Sequence, residues 1–178
     1  MKTLFIVFLS LPLFITAQSN FKESVDTIRH RKMLIGEGRS SALKTDTNFS
    51  WFNKNYAEYE PDKEAISTIK KHGKGVSFIV FAGTWCGDTK RELPRFYKVM
   101  DAVGMPESNI NLYMVDRTKK SADGLTKKYK IKSVPTIILL RDGHEIKRIV
   151  EKPRKSIEKD LARKLKKWLS VSITTSNQ

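Results

Sequence analysis

Two short, largely apolar runs, Val76 to Phe81 and Ile110 to Val115, flank a segment in which Leu93, Phe96, Tyr97 and Met100 recur at helical spacing. β-branched and aromatic runs of this length are strands, and a strand covered on both faces reads as continuous apolar sequence. Two such strands joined by a helix need the crossover of a parallel pair. That pattern places the chain in the α/β class. The helix is predicted to start after Cys86 and run to about Val103, kinked by Pro94. Upstream, Ala65, Ile66 and Ile69 predict a helix from Pro61-Asp62 to His72, stopped by Gly73 and Gly75. Downstream come a charged, helical stretch to Lys130, a strand Thr136 to Leu140, an Asp142-Gly143 turn and a strand Glu145 to Val150. Asp-Gly between apolar runs signals a hairpin. A last helix begins after Ser156, with Glu158 and Asp160 in its first turn and Ile157, Leu161, Leu165, Trp168 and Leu169 forming one apolar stripe.

The chain starts Met1-Lys2, followed by an apolar run from Leu4 to Ile15 and then Thr16-Ala17-Gln18. This reads as a secretory signal cleaved after Ala17, because the run falls short of the roughly 20 residues that span a bilayer. The expected organisation is a signal peptide (1–17), an N-terminal extension (18–59), one domain (60–170) and a C-terminal tail (171–178). A short helix is expected from Phe21 to Met33. Trp51, Phe52, Tyr56 and Tyr59 are expected to pack the extension on the domain. The protein is therefore expected in the periplasm or outside the cell, without a stable membrane span.

Lys and Arg number 34 against 19 Asp and Glu, a net charge of +15. The excess favours anionic partners by long-range attraction. It is spread over Lys70-Lys71, Lys119-Lys120, Lys127-Lys128, Arg163-Lys164 and Lys166-Lys167, so no nucleic acid is expected as partner. Gly36-Glu37-Gly38 lacks the third glycine of a phosphate loop. His30, His72 and His144 lack ligand spacing, so no metal is expected, and no cofactor is implied. A single cysteine excludes an internal disulfide and leaves a reactive thiol, an intermolecular partner or a buried apolar residue.

Cys86 opens a helix just past the carboxyl end of the first clear strand, where ligands gather in open α/β sheets. Thiols react as thiolates, and free N–H groups at a helix start favour negative charge. Lys90 and Arg91 add positive charge one turn on, and Asp88 opposes them. The segment Gly83-Thr84-Trp85-Cys86-Gly87-Asp88-Thr89-Lys90 resembles the active-site segment of the thioredoxin superfamily, usually Trp-Cys-Gly-Pro-Cys-Lys. Pro94 is similar to that family's helix-kinking proline, Tyr129 to Thr136 resembles its cis-proline segment, and Asp142-Gly143 resembles the turn before its last strand. The Trp-Cys-Gly-Asp-Thr form resembles exported bacterial thioredoxin-like proteins.

The resemblance implies a thioredoxin-like fold, a central mixed sheet flanked by helices. It also implies roles. Cys86 is the attacking thiolate, Trp85 shields it, and Pro135, in cis, faces it across a groove where the backbone of Val134 pairs with an extended peptide. Departures accompany these matches. Thr89 stands where the resolving cysteine belongs and is expected to donate a hydrogen bond to the thiolate. Val80 replaces the buried acid six residues before Cys86, and no glycine follows the last strand at Glu151-Lys152. One thiol cannot release its own mixed disulfide, so an external reductant is needed. The leading expectation is a monothiol thiol–disulfide oxidoreductase acting on protein or low-molecular-weight thiols. The alternative is a redox-inactive module that holds an extended peptide beside Pro135. A glutathione-supported iron–sulfur site fits the Trp-Cys-Gly-Asp-Thr segment poorly. The oligomeric state is left open.

Overall fold

Helix α4 (Gly87–Val103) crosses from strand β3 (Val76–Ala82) to strand β4 (Ile110–Met114), which pairs parallel to it with Val80 opposite Leu112. The computed structural model describes residues 20–121 and 123–175; the expected signal peptide lies outside the described residues, as does the end of the expected tail. On the other side of β3, strand β5 (Thr136–Arg141) runs antiparallel, and β6 (His144–Val150) turns back along it. The β5–β6 turn is Asp142-Gly143, with φ of 51° and 78°. Two successive left-handed residues make the tight turn that matches strand twist, which is why Asp-Gly stands there.

The N-terminal part differs from its expectation. Residues 21–33 form no helix but a hairpin of β1 (Lys22–Asp26) and β2 (Arg31–Gly38), and β2 docks antiparallel on β4. Asp26 makes the turn: its carboxylate accepts the Ile28 N–H at 3.1 Å and its carbonyl accepts the His30 N–H at 2.8 Å. Met33 and Leu34, adjacent in sequence, are both buried. A strand points neighbours to opposite faces and so buries both, whereas one helical face would not. The six-stranded sheet has the order β1-β2-β4-β3-β5-β6.

The sheet is covered unequally. One face carries α4, α3 (Lys63–His72), α6 (Ile157–Thr175) and the short helices α1 (Ser41–Thr45) and α2 (Trp51–Ala57). There Phe78, Val80, Leu112 and Ile137 meet Leu93, Phe96, Met100, Leu161 and Leu165. Leu34, Leu43, Phe49 and Phe52 belong to this same core, so the segment 18–59 supplies both sheet and core. Phe52 is fully buried, with its ring 5.8 Å from that of Tyr97. The helix expected from Pro61 starts at Lys63, because Asp62 caps it by accepting the Ala65 N–H at 2.9 Å.

The other face holds Ile79, Phe81, Val115, Val134, Ile138 and Leu140, covered by Trp85, Cys86, Tyr113, Tyr129 and Ile131. Among the described residues of the stretch expected to be helix up to Lys130, only Leu125–Lys128 (α5) is helical. Its other residues bend around local bonds, such as Thr118 Oγ1 to Asp116 at 2.7 Å and Leu125 N–H to Asp123 at 3.0 Å. Asp and Thr side chains compete there for the backbone groups a helix would use. Among the described residues, no helix is long and apolar enough to cross a membrane.

Candidate active site

The carboxyl end of β3 and the amino end of the antiparallel β5 lie at the same end of the sheet, which brings Cys86 to the turn before β5. The thiol of Cys86 donates to the Val134 carbonyl at 3.2 Å, and the Val134–Pro135 peptide is cis. Cys86 is half-buried, at the N-cap of α4, with φ −85° and ψ 130°. Its N–H bonds the Gly83 carbonyl at 2.9 Å and its carbonyl accepts the Lys90 N–H at 3.1 Å, which closes the first turn of the helix. Its side chain makes no cap hydrogen bond. The thiol therefore stands free of the helix and faces the Val134–Pro135 turn. Thr136 holds that turn through its hydroxyl, bonded to Ser133 O at 2.7 Å.

Trp85 is fixed from two sides. Its Nε1–H donates to the Val115 carbonyl at 2.9 Å, and the Arg117 guanidinium lies 4.9 Å from its ring centroid. Beneath it is Gly83, where a Cβ would come within 2.6 Å of the indole nitrogen. Only glycine lets the chain pass under this ring. Arg117 in turn makes two bonds to Asp26, Nε at 2.7 Å and Nη2 at 2.8 Å. These bonds hold the buried Asp26 carboxyl down at about 2 against the opposing effect of burial. Sequence reasoning assigned no role to Gly83, Arg117 or Asp26. The last two are 91 residues apart, and no local signal links them.

The other expected residues divide. Val134 meets Cys86 through its carbonyl, and the peptide that joins it to Pro135 is cis. Thr89 is fully buried, and its hydroxyl oxygen accepts the Gly83 N–H at 3.2 Å. Its described bond thus fastens helix to loop and does not run to the thiol, as had been expected. Arg91 is also redirected: it pairs with Asp88 at 2.7 Å and with the buried Glu92 at 2.6 Å, so its charge is neutralised locally. Lys90 remains unpaired among the described residues. Burial lowers its pKa most, followed by repulsion from Arg31 and Arg29, while Asp26 and Cys86 act in the opposite direction. Val80 is fully buried in the apolar core. Glu151 takes a left-handed φ of 59° and its N–H bonds the Pro135 carbonyl at 2.7 Å, so a glycine-like backbone exists there without glycine. No group of three or more His, Cys, Asp or Glu side chains that could hold a metal ion occurs among the described residues.

Comparison with known proteins bears on the family and the fold. The chain is 30% identical over 112 residues to a protein disulfide-isomerase of Datisca glomerata, a match covering 59% of this chain and 22% of that protein. It is 30% identical over 76 residues to thioredoxin of Chlamydia pneumoniae, covering 43% of this chain and 69% of that one. The chain thus spans about a fifth of the isomerase it matches. A Pseudomonas aeruginosa protein of unknown function shares the fold at a TM-score of 0.52 and 15% identity, over 73% of this chain and 82% of that one. The Thioredoxin family profile matches residues 40–166, most of the sequence from α1 into α6, and by that match the chain belongs to the thioredoxin family.

Proposed function

We propose that this protein is exported and carries out thiol–disulfide exchange through Cys86 alone, with an external thiol completing each turnover. The observation that supports this most is the half-buried thiol 3.2 Å from the Val134 carbonyl, ahead of the cis-proline and with no second cysteine in the chain. A substrate peptide laid along this turn would offer a backbone N–H to the Val134 carbonyl. It would thereby displace the thiol's own bond and release the sulfur for attack. The Cys86 thiolate then attacks one sulfur of the substrate disulfide, the other leaves as thiolate, and a mixed disulfide remains. Thr89 holds the Gly83 loop and so positions Cys86. Export rests on the signal-like segment 1–17.

The test is to trap mixed disulfides from an envelope extract at Cys86 and to repeat it with Cys86→Ser. Adducts that appear with the parent and vanish with the variant support exchange. Peptide ligands held equally well by both proteins, with no adduct from either, would favour the redox-inactive binding module.

A further inference from the structure

The β1–β2 hairpin builds a cavity of about 420 Å³ beside Trp85. Asp26 and Arg29 to Lys32 form one wall, Asn48 to Trp51 another, and Thr84, Trp85 and Lys90 complete it. Its charged lining is Arg29, Arg31, Lys32 and Lys90 against the single carboxylate of Asp26. That carboxylate is occupied by Arg117, and Lys32 is occupied by Asp46 at 2.8 Å and by Glu23. Arg29, Arg31 and Lys90 are left without a hydrogen-bonded or ion-paired anion among the described residues. Three cations drawn into one concavity repel each other, and Arg31 and Arg29 add to the burial that chiefly lowers the pKa of Lys90. Such an arrangement is stabilised when an anion enters, and a cavity of this size suits a small molecule rather than a protein surface.

We infer that this cavity seats the carboxylates of a small anionic thiol, the co-reactant that supplies the sulfur Cys86 lacks. The inference rests on the exchange reading of Cys86. Trp85 and Lys90, which line the cavity, are the residue before Cys86 and the residue whose N–H bonds the Cys86 carbonyl, and Lys90 interacts electrostatically with Cys86. The cavity therefore borders the segment that carries the reacting sulfur, and a thiol held there by its carboxylates extends past Trp85 to reach it. The anchored thiolate attacks the Cys86 sulfur of a mixed disulfide. The substrate leaves as thiolate and takes up the proton the small thiol gave up, and the small thiol stays bonded to Cys86. A second small thiol attacks the first one's sulfur, forming their symmetric disulfide and returning Cys86 as thiolate. In sum a substrate disulfide is reduced by two electrons, and two small thiols are oxidised to one disulfide.

The full chain carrying a 2-thiopyridyl disulfide on Cys86 provides the test. Thiopyridone release is timed with glutathione, which bears two carboxylates, and with its dimethyl ester, which carries the same thiol without those charges. At low salt glutathione should react faster by roughly tenfold after correction for thiolate content. The ratio should fall toward one in Arg29→Ser/Arg31→Ser, in Lys90→Gln, and when salt is raised. S-methylglutathione, which cannot exchange, should quench tryptophan fluorescence in the parent and do so more weakly in the variants. A parent ratio near one would overturn the inference even though Cys86 exchanges normally. If Cys86 forms no thiopyridyl adduct at all, the exchange reading itself fails. The S-methylglutathione titration then judges the cavity alone, and absence of binding overturns the anion site as well.

Discussion

Thr89→Cys places a second sulfur at the third helical position of α4, with Cys86 at the N-cap. In a capped helix the side chains at these two positions reach each other's backbone N–H groups, which brings their Cβ atoms near enough for a disulfide. The substitution removes the oxygen that accepts the Gly83 N–H at 3.2 Å in a fully buried position. A buried N–H without its partner costs about 1–3 kcal/mol, of which a sulfur acceptor offsets part, so the reduced variant should be less stable by about 1–2 kcal/mol. Oxidation closes a loop of four residues, which removes about 6 cal/mol/K of unfolded-state entropy, or about 2 kcal/mol at 25 °C. With a urea slope of about 2 kcal/mol/M, the midpoint should drop by about 0.5–1 M in the reduced variant and rise by about 1 M on oxidation. Urea unfolding with and without dithiothreitol measures both changes, and intact mass reports the loss of two hydrogens. Insulin reduction driven by dithiothreitol should rise in the same variant, limited by the absence of an acid at Val80. A folded variant that fails to form the bond under an oxidising thiol buffer would refute the N-cap placement of Cys86 and the mechanism drawn from it.

Cys86→Ser should change stability by no more than about 1 kcal/mol in denaturant titration, since the thiol makes no cap bond and serine is a good N-cap; a loss of several kcal/mol would mark Cys86 as core. Phe52→Ala, at a fully buried position, should cost about 3–5 kcal/mol in the same titration, and a near-neutral result would mean that residues 18–59 are dispensable for the core. The depressed Asp26 pKa contributes stability that is present above its usual 3.8 and lost as pH falls toward about 2. Asp26→Asn should therefore flatten the acid limb of a stability-against-pH profile in that window. Asp46, also held near 2 by Lys32 and Asn48, should keep part of the limb in place. An unchanged acid limb would show that the Arg117 pair does not persist in solution.

Local patterns carried the domain from β3 to α6. The apolar runs of β3 and β4, the Asp142-Gly143 turn and the Ser156 cap each act over a few residues and are readable one at a time. The candidate site was legible in part: Cys86, Val134 and Pro135 belong to short motifs, and the sheet brings the Cys86 and Val134 segments together. What escaped depends on distant partners. Residues 21–33 carry enough scattered apolar side chains for a helix, and the pairing of β1 with β2, extended by Gly36–Gly38 on the edge of β4, turns them into strands. Arg117 and Asp26 meet across the sheet edge, and no local pattern announces the bond from the Gly83 N–H to the Thr89 hydroxyl. Arg91 counts in the sequence as a positive charge near the thiol with Asp88 opposing it, and its pairing with both Asp88 and Glu92 is set by side-chain orientation on α4.

The docking of β2 on β4 sets an order on folding. Met33 and Leu34 leave the ribosome early, yet Gly36 finds its partner only at Met114, and Asp26 finds its own at Arg117. Contacts so remote in sequence form after the loop between them has closed, and topologies rich in such contacts fold slowly. The hairpin must therefore wait, with its hydrogen-bonding edge unsatisfied, until β3, α4 and β4 have assembled the surface it joins. During that interval the same edge is open to a second copy of the chain, and the half-made protein is at its most vulnerable to strand exchange. The wall that encloses the cavity beside Trp85 thus depends on remote contacts, as does the joining of Tyr59 to Glu158, 99 residues away on α6.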